Sequence, residues 1–372
     1  MRMTSRSLYI IAALTAVLCG FTGAGAQANA AKQSALAQCS RRAVPVSPAS
    51  WMLASDGQQI FVGYTNGTIE ALTSGTLDSN WRAELGGEFA SDLAIIENGI
   101  AIVTNPSRDS AAAGELSTVR LLSKESGVTN WSVRVAYSER YYIGLISSGL
   151  AIVSKEGQVT ALDRKNGQVQ WQTMPLGRTS ARPAFSGEIV AVATTDKHLT
   201  LVSGQGGKIL SRQLTDLVTT AITLLQKEAI AAGDERGNVT LFGSESSKVA
   251  WRFKSGAAVS SVSESEQGLI VTSLDNFVYL ISDYNGDVIW KRRLTGRVLD
   301  GGTAVNGHFV VFIYGENSAY VIDLDEGKLT DSMDASDREL VNRVPVFVRD
   351  RMFALSTTDS VEVYSLGGCD KK

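Results

Sequence analysis

The stretch ALDRKNGQVQW, residues 161–171, recurs through the chain, and this recurrence constrains the fold more than any other feature. Aligned on Trp171, seven copies run without internal gaps: residues 70–81, 120–131, 160–171, 200–211, 240–251, 279–290 and 320–331. Their first residues lie 50, 40, 40, 40, 39 and 41 apart, and an eighth partial copy begins at Glu362. A period near forty residues means an array of supersecondary units, each burying its apolar face against its neighbours. Within a unit, apolar and polar residues alternate and turn residues intervene, as in EIVAVATTD (188–196), KHLTLVSG (197–204) and KILSRQL (208–214). A small-residue segment, TSARPAF (179–185), precedes them and reads as the innermost strand. No helical spacing of apolar residues is sustained, so four short strands per unit predict propeller blades rather than a helical solenoid.

Eight copies predict an all-β, eight-bladed β-propeller of four-stranded antiparallel blades. The eighth copy ends where its outer strand should begin, and CSRRAVPV (39–46) has no other assignment, so it is expected to supply that strand. Such closure by N- and C-terminal strands removes the exposed edges of an open array. It also brings Cys39 and Cys369 together, and an exported chain with two such cysteines is expected to bridge them.

Export is expected from residues 1–30. Arg2 and Arg6 precede the apolar run Leu8–Leu18, and GAGAQANA (23–30) offers small-residue cleavage sites. That run is too short to cross a bilayer and no longer one follows, which predicts no transmembrane span. Bulky Leu18 before Cys19 argues against a lipid anchor there. The remaining 31–372 form a single propeller domain in this reading. A formal net charge of -3 without a long run of one sign predicts no nucleic-acid partner.

Trp81, Trp131, Trp171, Trp251 and Trp290 occupy five of the seven aligned positions, with Ser211 and Asp331 in the other two. Gly127, Gly167, Gly207, Gly286 and Gly327 stand four residues earlier. Repetition assigns both sets to structure: the indoles are expected to dock one blade on the next, and the glycines to make hairpins. His198 and His308 are the only histidines. They are too few for a multi-histidine metal site and belong to no recognisable catalytic motif, so no metal, cofactor or catalytic residue is assigned.

The pattern Ala-x-Asp-x-x-x-Gly-x-x-x-Trp resembles the tryptophan-docking repeat of the quinoprotein-like propellers, over nearly all of the chain beyond residue 30. Two branches of that group matter. PQQ-dependent dehydrogenases are much longer and carry vicinal cysteines and a calcium site, neither of which is recognisable here. The second branch is the BamB family of the outer-membrane β-barrel assembly machine. PLGRTSARPAF (175–185) and LTDLVTTAI (214–222) are similar to two neighbouring BamB connectors that dock on a central barrel subunit, BamA. The resemblance carries partner binding onto Leu176, Arg178 and Asp216, whereas Val218 and Arg182 depart from the family pattern. It implies a periplasmic, non-catalytic scaffold whose partners are a BamA-like outer-membrane barrel assembly protein and unfolded outer-membrane proteins. A small quinoprotein using PQQ, or a propeller binding an envelope ligand, is the alternative.

Overall fold

Alternating residues make the outer strands, and continuous apolar runs make the middle ones. Ile100, Ala101, Ile102 and Val103 are fully buried in succession, because a middle strand has a neighbouring blade on each face. The outer strand Thr129–Val135 alternates instead, with Trp131 inward and its neighbours exposed. A computed structural model describes residues 36–45, 50–97, 99–107, 116–206, 209–220, 222–225, 229–243, 248–313, 318–334 and 340–369, all within the compact unit Ser34–Lys372. The expected export signal, residue Cys19 and most of the insert at 104–117 lie outside them.

The described residues form an eight-bladed β-propeller, one antiparallel sheet per blade. Blade 1 holds strands between Ser50 and Glu84, blade 2 between Glu88 and Val135, blade 3 between Tyr141 and Gln172, and blade 4 between Ala184 and Gln213. Blades 5, 6 and 7 span Thr223–Lys254, Val259–Arg293 and Gly302–Asp334. In blade 2 two short strands, Glu88–Phe89 and Ala94–Ile96, share the innermost place. Eight apolar clusters fill the molecule, one at each seam between neighbouring blades.

Blade 8 takes three strands from residues Leu340–Leu366 and its outer strand from Leu36–Ala43, which begins three residues earlier than the sequence suggested. Leu36 to Gln38 pair with Leu366 to Tyr364, and Val44 leaves the sheet by bonding to the Asp359 carbonyl. Cys39 and Cys369 are disulfide-bonded, with Cα atoms 5.4 Å apart. Charge fastens the same strand. Arg42 donates to Glu70 of blade 1 at 2.8 Å, and Arg41 lies 3.2 Å from the buried Glu362. Burial and its bond to Glu70 push the Tyr64 hydroxyl above its ordinary pKa.

The indole contacts run across seams. Each of Trp81, Trp131, Trp171, Trp251 and Trp290 lies on the turn glycine of the following blade, respectively Gly127, Gly167, Gly206, Gly286 and Gly327. A Cβ at Gly167 would stand 2.5 Å from the Trp131 ring, and its φ of +73° disfavours other residues too. Trp131 also donates its indole N–H to the Arg164 carbonyl at 2.9 Å, and Trp81, Trp251 and Trp290 make the same bond to Lys124, Asp283 and Leu324. In these turns the glycine N–H bonds back four residues, as from Gly167 to Asp163.

Blade 4 differs from the gapless alignment. Its turn is one residue tighter, with Gly206 N–H bonding to Ser203, and Gly206 meets the indole, while Gly207 lies outside the described residues. Trp171 consequently finds no carbonyl for its N–H among the described residues. The outer strand is shifted as well: Leu201 pairs with Leu210, whereas its counterpart Ala161 pairs with Trp171. Leu210, not Ser211, therefore stands at the indole position. The other seven outer strands carry a one-residue bulge just before that position, at Asn80, Asn130, Gln170, Ala250, Ile289, Thr330 and Cys39. Blade 4 pairs without one.

Two predictions follow from these seams. Trp131→Phe should destabilise the protein by about 1 kcal/mol more than Trp171→Phe, since only the former strands a carbonyl; urea midpoints followed by far-ultraviolet circular dichroism compare them. Cys39→Ser with Cys369→Ser should lower stability by on the order of 2 to 5 kcal/mol, the usual cost of losing a native disulfide, and reducing agent should then leave the double variant unaffected.

Candidate functional site

Interblade connectors share one face of the ring with the hairpins between second and third strands. Backbone bonds tie them together. The connector from blade 3 to blade 4, residues 173–183, bonds through Gly177 N–H to Glu156 O and through Arg178 O to Thr195 N–H. The next connector, 214–222, bonds through Leu214 N–H to Lys197 O and through Leu217 O to Glu235 N–H. Loops held this way present side chains at fixed positions.

The three residues singled out from the sequence have different environments. Leu176 is half-buried and, with Trp171, Tyr142 and Phe185, packs on the core between blades 3 and 4. The reason is local: its N–H bonds to the Gly157 carbonyl, which draws the side chain under the loop. Met174, two residues earlier, is 81% exposed, and Tyr137 of the preceding connector is 54% exposed. Exposure of that size was not legible from residue type, because both sit in stretches that read as ordinary strand ends.

Arg178 projects into solvent and meets Glu139, on the preceding connector, at 3.3 Å. Both side chains are more than half exposed, so the pair contributes little to stability and remains available to a partner. Asp216 is mostly buried and lies 3.0 Å from the exposed Arg236. Leu176 and Arg178 thus share one connector, while Asp216 on the next is paired with Arg236. Arg182, which departs from the family pattern, donates to Asp92 at 2.8 Å, and Asp92 also takes Arg140 at 2.6 Å. That triad links the approach to blade 4 with blade 2.

His198 lies 3.2 Å from Asp196, whose carboxyl is held below its ordinary pKa first by the Thr194 hydroxyl and also by His198. Thr194 bonds to Asp196 and to the His198 carbonyl, not to the imidazole, so no hydroxyl is poised against a base there. His308 contacts the Asn306 carbonyl at the start of its strand. Among the described residues no three His, Cys, Asp or Glu side chains converge as metal ligands.

Comparison with known proteins separates fold from family. The ring superposes on the C-terminal WD40 domain of Sif2 with a TM-score of 0.73 at 10% identity, covering 90% of this chain and 99% of that one. It superposes on BamB from Moraxella catarrhalis with a TM-score of 0.67 at 14% identity, covering 91% and 99%. Shape at such identities reports the propeller alone. Sequence adds more: the outer membrane protein assembly factor BamB of Yersinia pestis is 21% identical over 333 residues, 83% of this chain and 82% of that protein. The family described as outer membrane protein assembly factor BamB matches at residues 32–172 and 115–282, more than half of the chain. With tryptophan-docked repeats, a ring closed by its first strand and this match, the chain belongs to the BamB family of PQQ-repeat β-propellers.

Replacing Asp216 by Ala should leave Arg236 without its acid yet cost less than about 1 kcal/mol, since the guanidinium stays hydrated; thermal unfolding at low and high salt measures the difference.

Proposed function

We propose that the protein is a periplasmic, non-catalytic scaffold in the assembly of outer-membrane β-barrels, which docks on a BamA-like subunit through the connector face of blades 3 to 5. The reading rests on family membership and on one observation: Met174 and Tyr137 are exposed on the two connectors that Arg178 and Glu139 join, the first of which is held by backbone bonds. Exposed apolar side chains next to an arginine suit a modest protein interface, where anchors fill pockets and Arg supplies a fixed fork of donors. Leu176 supports that surface from beneath, and Asp216 orients Arg236 toward it. Unfolded outer-membrane proteins are then handed on by the assembled complex rather than processed chemically here.

Capture of the periplasmic domains of a BamA-like protein by the immobilised chain tests this. Met174→Glu with Arg178→Glu should weaken capture at least about tenfold. Arg178→Glu with Asp216→Arg should weaken it too, with the melting temperature monitored in both. Unchanged capture by both folded variants would sink the proposed docking face.

A further inference from the structure

The seam between blades 4 and 5 departs from the others. Leu210 stands where an indole docks elsewhere, and the core beneath it is rich in small residues, with Ala181, Ala184, Ala191, Ala193 and Ala232. A cleft of about 280 Å³ opens beside it, lined by Arg212, Thr240, Phe242 and Arg252 among others. Arg212 faces blade 5, its guanidinium 5.5 Å from the centre of the Phe242 ring. Arg252 stands on the opposite wall, paired across its sheet with Thr240. In blade 1 the counterpart of Thr240 is Glu70, which takes an arginine from the closing strand. Thr240 offers no such charge. The acids at the cleft are engaged elsewhere, Asp216 with Arg236 and Asp234 with Asn238 and the amides of its own turn.

The outer strand of blade 4, Ile209–Gln213, also has a regular ladder from the turn onward. Bulges twist an edge and interrupt the row of N–H and C=O groups that a further strand would pair with. Seven outer strands carry that interruption and this one does not. An antiparallel addition would send alternate side chains toward blade 5. One of them would lie against Arg212 and Arg252, and the next but one against Leu210.

We infer that blade 4 accepts an extended segment of a partner protein as a fifth strand, with an acidic residue set against Arg212 and Arg252 and an apolar residue two positions later against Leu210. Backbone pairing supplies the attachment, and the two guanidinium groups select the carboxylate. The inference depends on the propeller and its seams, not on the assembly reading above.

The probe is an acetylated, amidated heptapeptide, Thr-Thr-Asp-Thr-Val-Thr-Thr, added to the purified full chain. Amide exchange at residues 209–213 should slow on addition, and a peptide with Lys for Asp should bind more weakly. Arg212→Glu with Arg252→Glu should reduce affinity for the Asp peptide at least about tenfold and improve that for the Lys peptide; Arg212 is half-buried and Arg252 exposed, so water reaches both positions, and circular dichroism verifies folding. N-methylation of alternate Asp-peptide amides should abolish binding. Unaltered exchange at 209–213 with millimolar peptide, equal slowing in the outer strands of other blades, or full binding of the N-methylated peptide would each overturn the inference.

Discussion

Contact between an indole and a glycine turn of the next blade is the interaction on which the ring depends. A four-stranded sheet of this size cannot bury both faces of its middle strands alone, so each blade relies on the neighbour it touches. The indole closes the outer end of the seam, where water would otherwise enter, and in four seams its N–H fixes the height of one blade against the next. A glycine opposite is then obligatory, because a Cβ there would overlap the ring. The hairpin's left-handed backbone and the indole's need for close approach are met by one residue.

The pairing explains the exceptions. At the closing seam blade 8 brings Ser40 to the indole position, and blade 1 answers with Leu77 where the indole-facing turns have glycine. Leu77 keeps the left-handed backbone, with φ of +62°, and its buried side chain fills the room an indole would take. At the seam between blades 7 and 8, Asp331 occupies the indole position and accepts the Leu36 N–H of the closing strand. Both substitutions belong to closure: one replaces aromatic area with aliphatic packing, the other with a bond to the last strand.

Much of this was legible in the sequence, and the rest was missed for identifiable reasons. Period, blade number and the swap of the first strand followed from spacing, since the eighth copy lacked a strand and residues 39–46 lacked a partner. The indoles and glycines were counted within each repeat, whereas they couple between repeats. Trp of one copy predicts glycine in the next, and Ser211 and Ser247 are absent partners of the same seam. Read that way, the sequence already marks blades 4 and 5 as different. The bulge was not legible, because a gapless alignment cannot separate a shorter turn from a shifted strand. The half-burial of Leu176 was not legible either, because backbone bonding to Gly157, not hydropathy, decides where it points.

The outer strand of blade 8 has a temporal consequence. Leu36–Ala43 is made before any blade, yet its sheet partner among the described residues, Ser360–Leu366, is made after all the others. Its strand pairing and its disulfide span most of the chain, so both form late, while its bond from Arg42 reaches only to blade 1. An early strand with Arg41 and Arg42 in its middle is poorly suited to pairing with itself or with another copy, because like charges oppose a second strand laid alongside. Arg41 finds Glu362 only when the last sheet is in place, and Arg42 then bridges that sheet to Glu70 of blade 1. The same charges that lock the finished molecule thus keep its first strand from choosing the wrong partner while it waits.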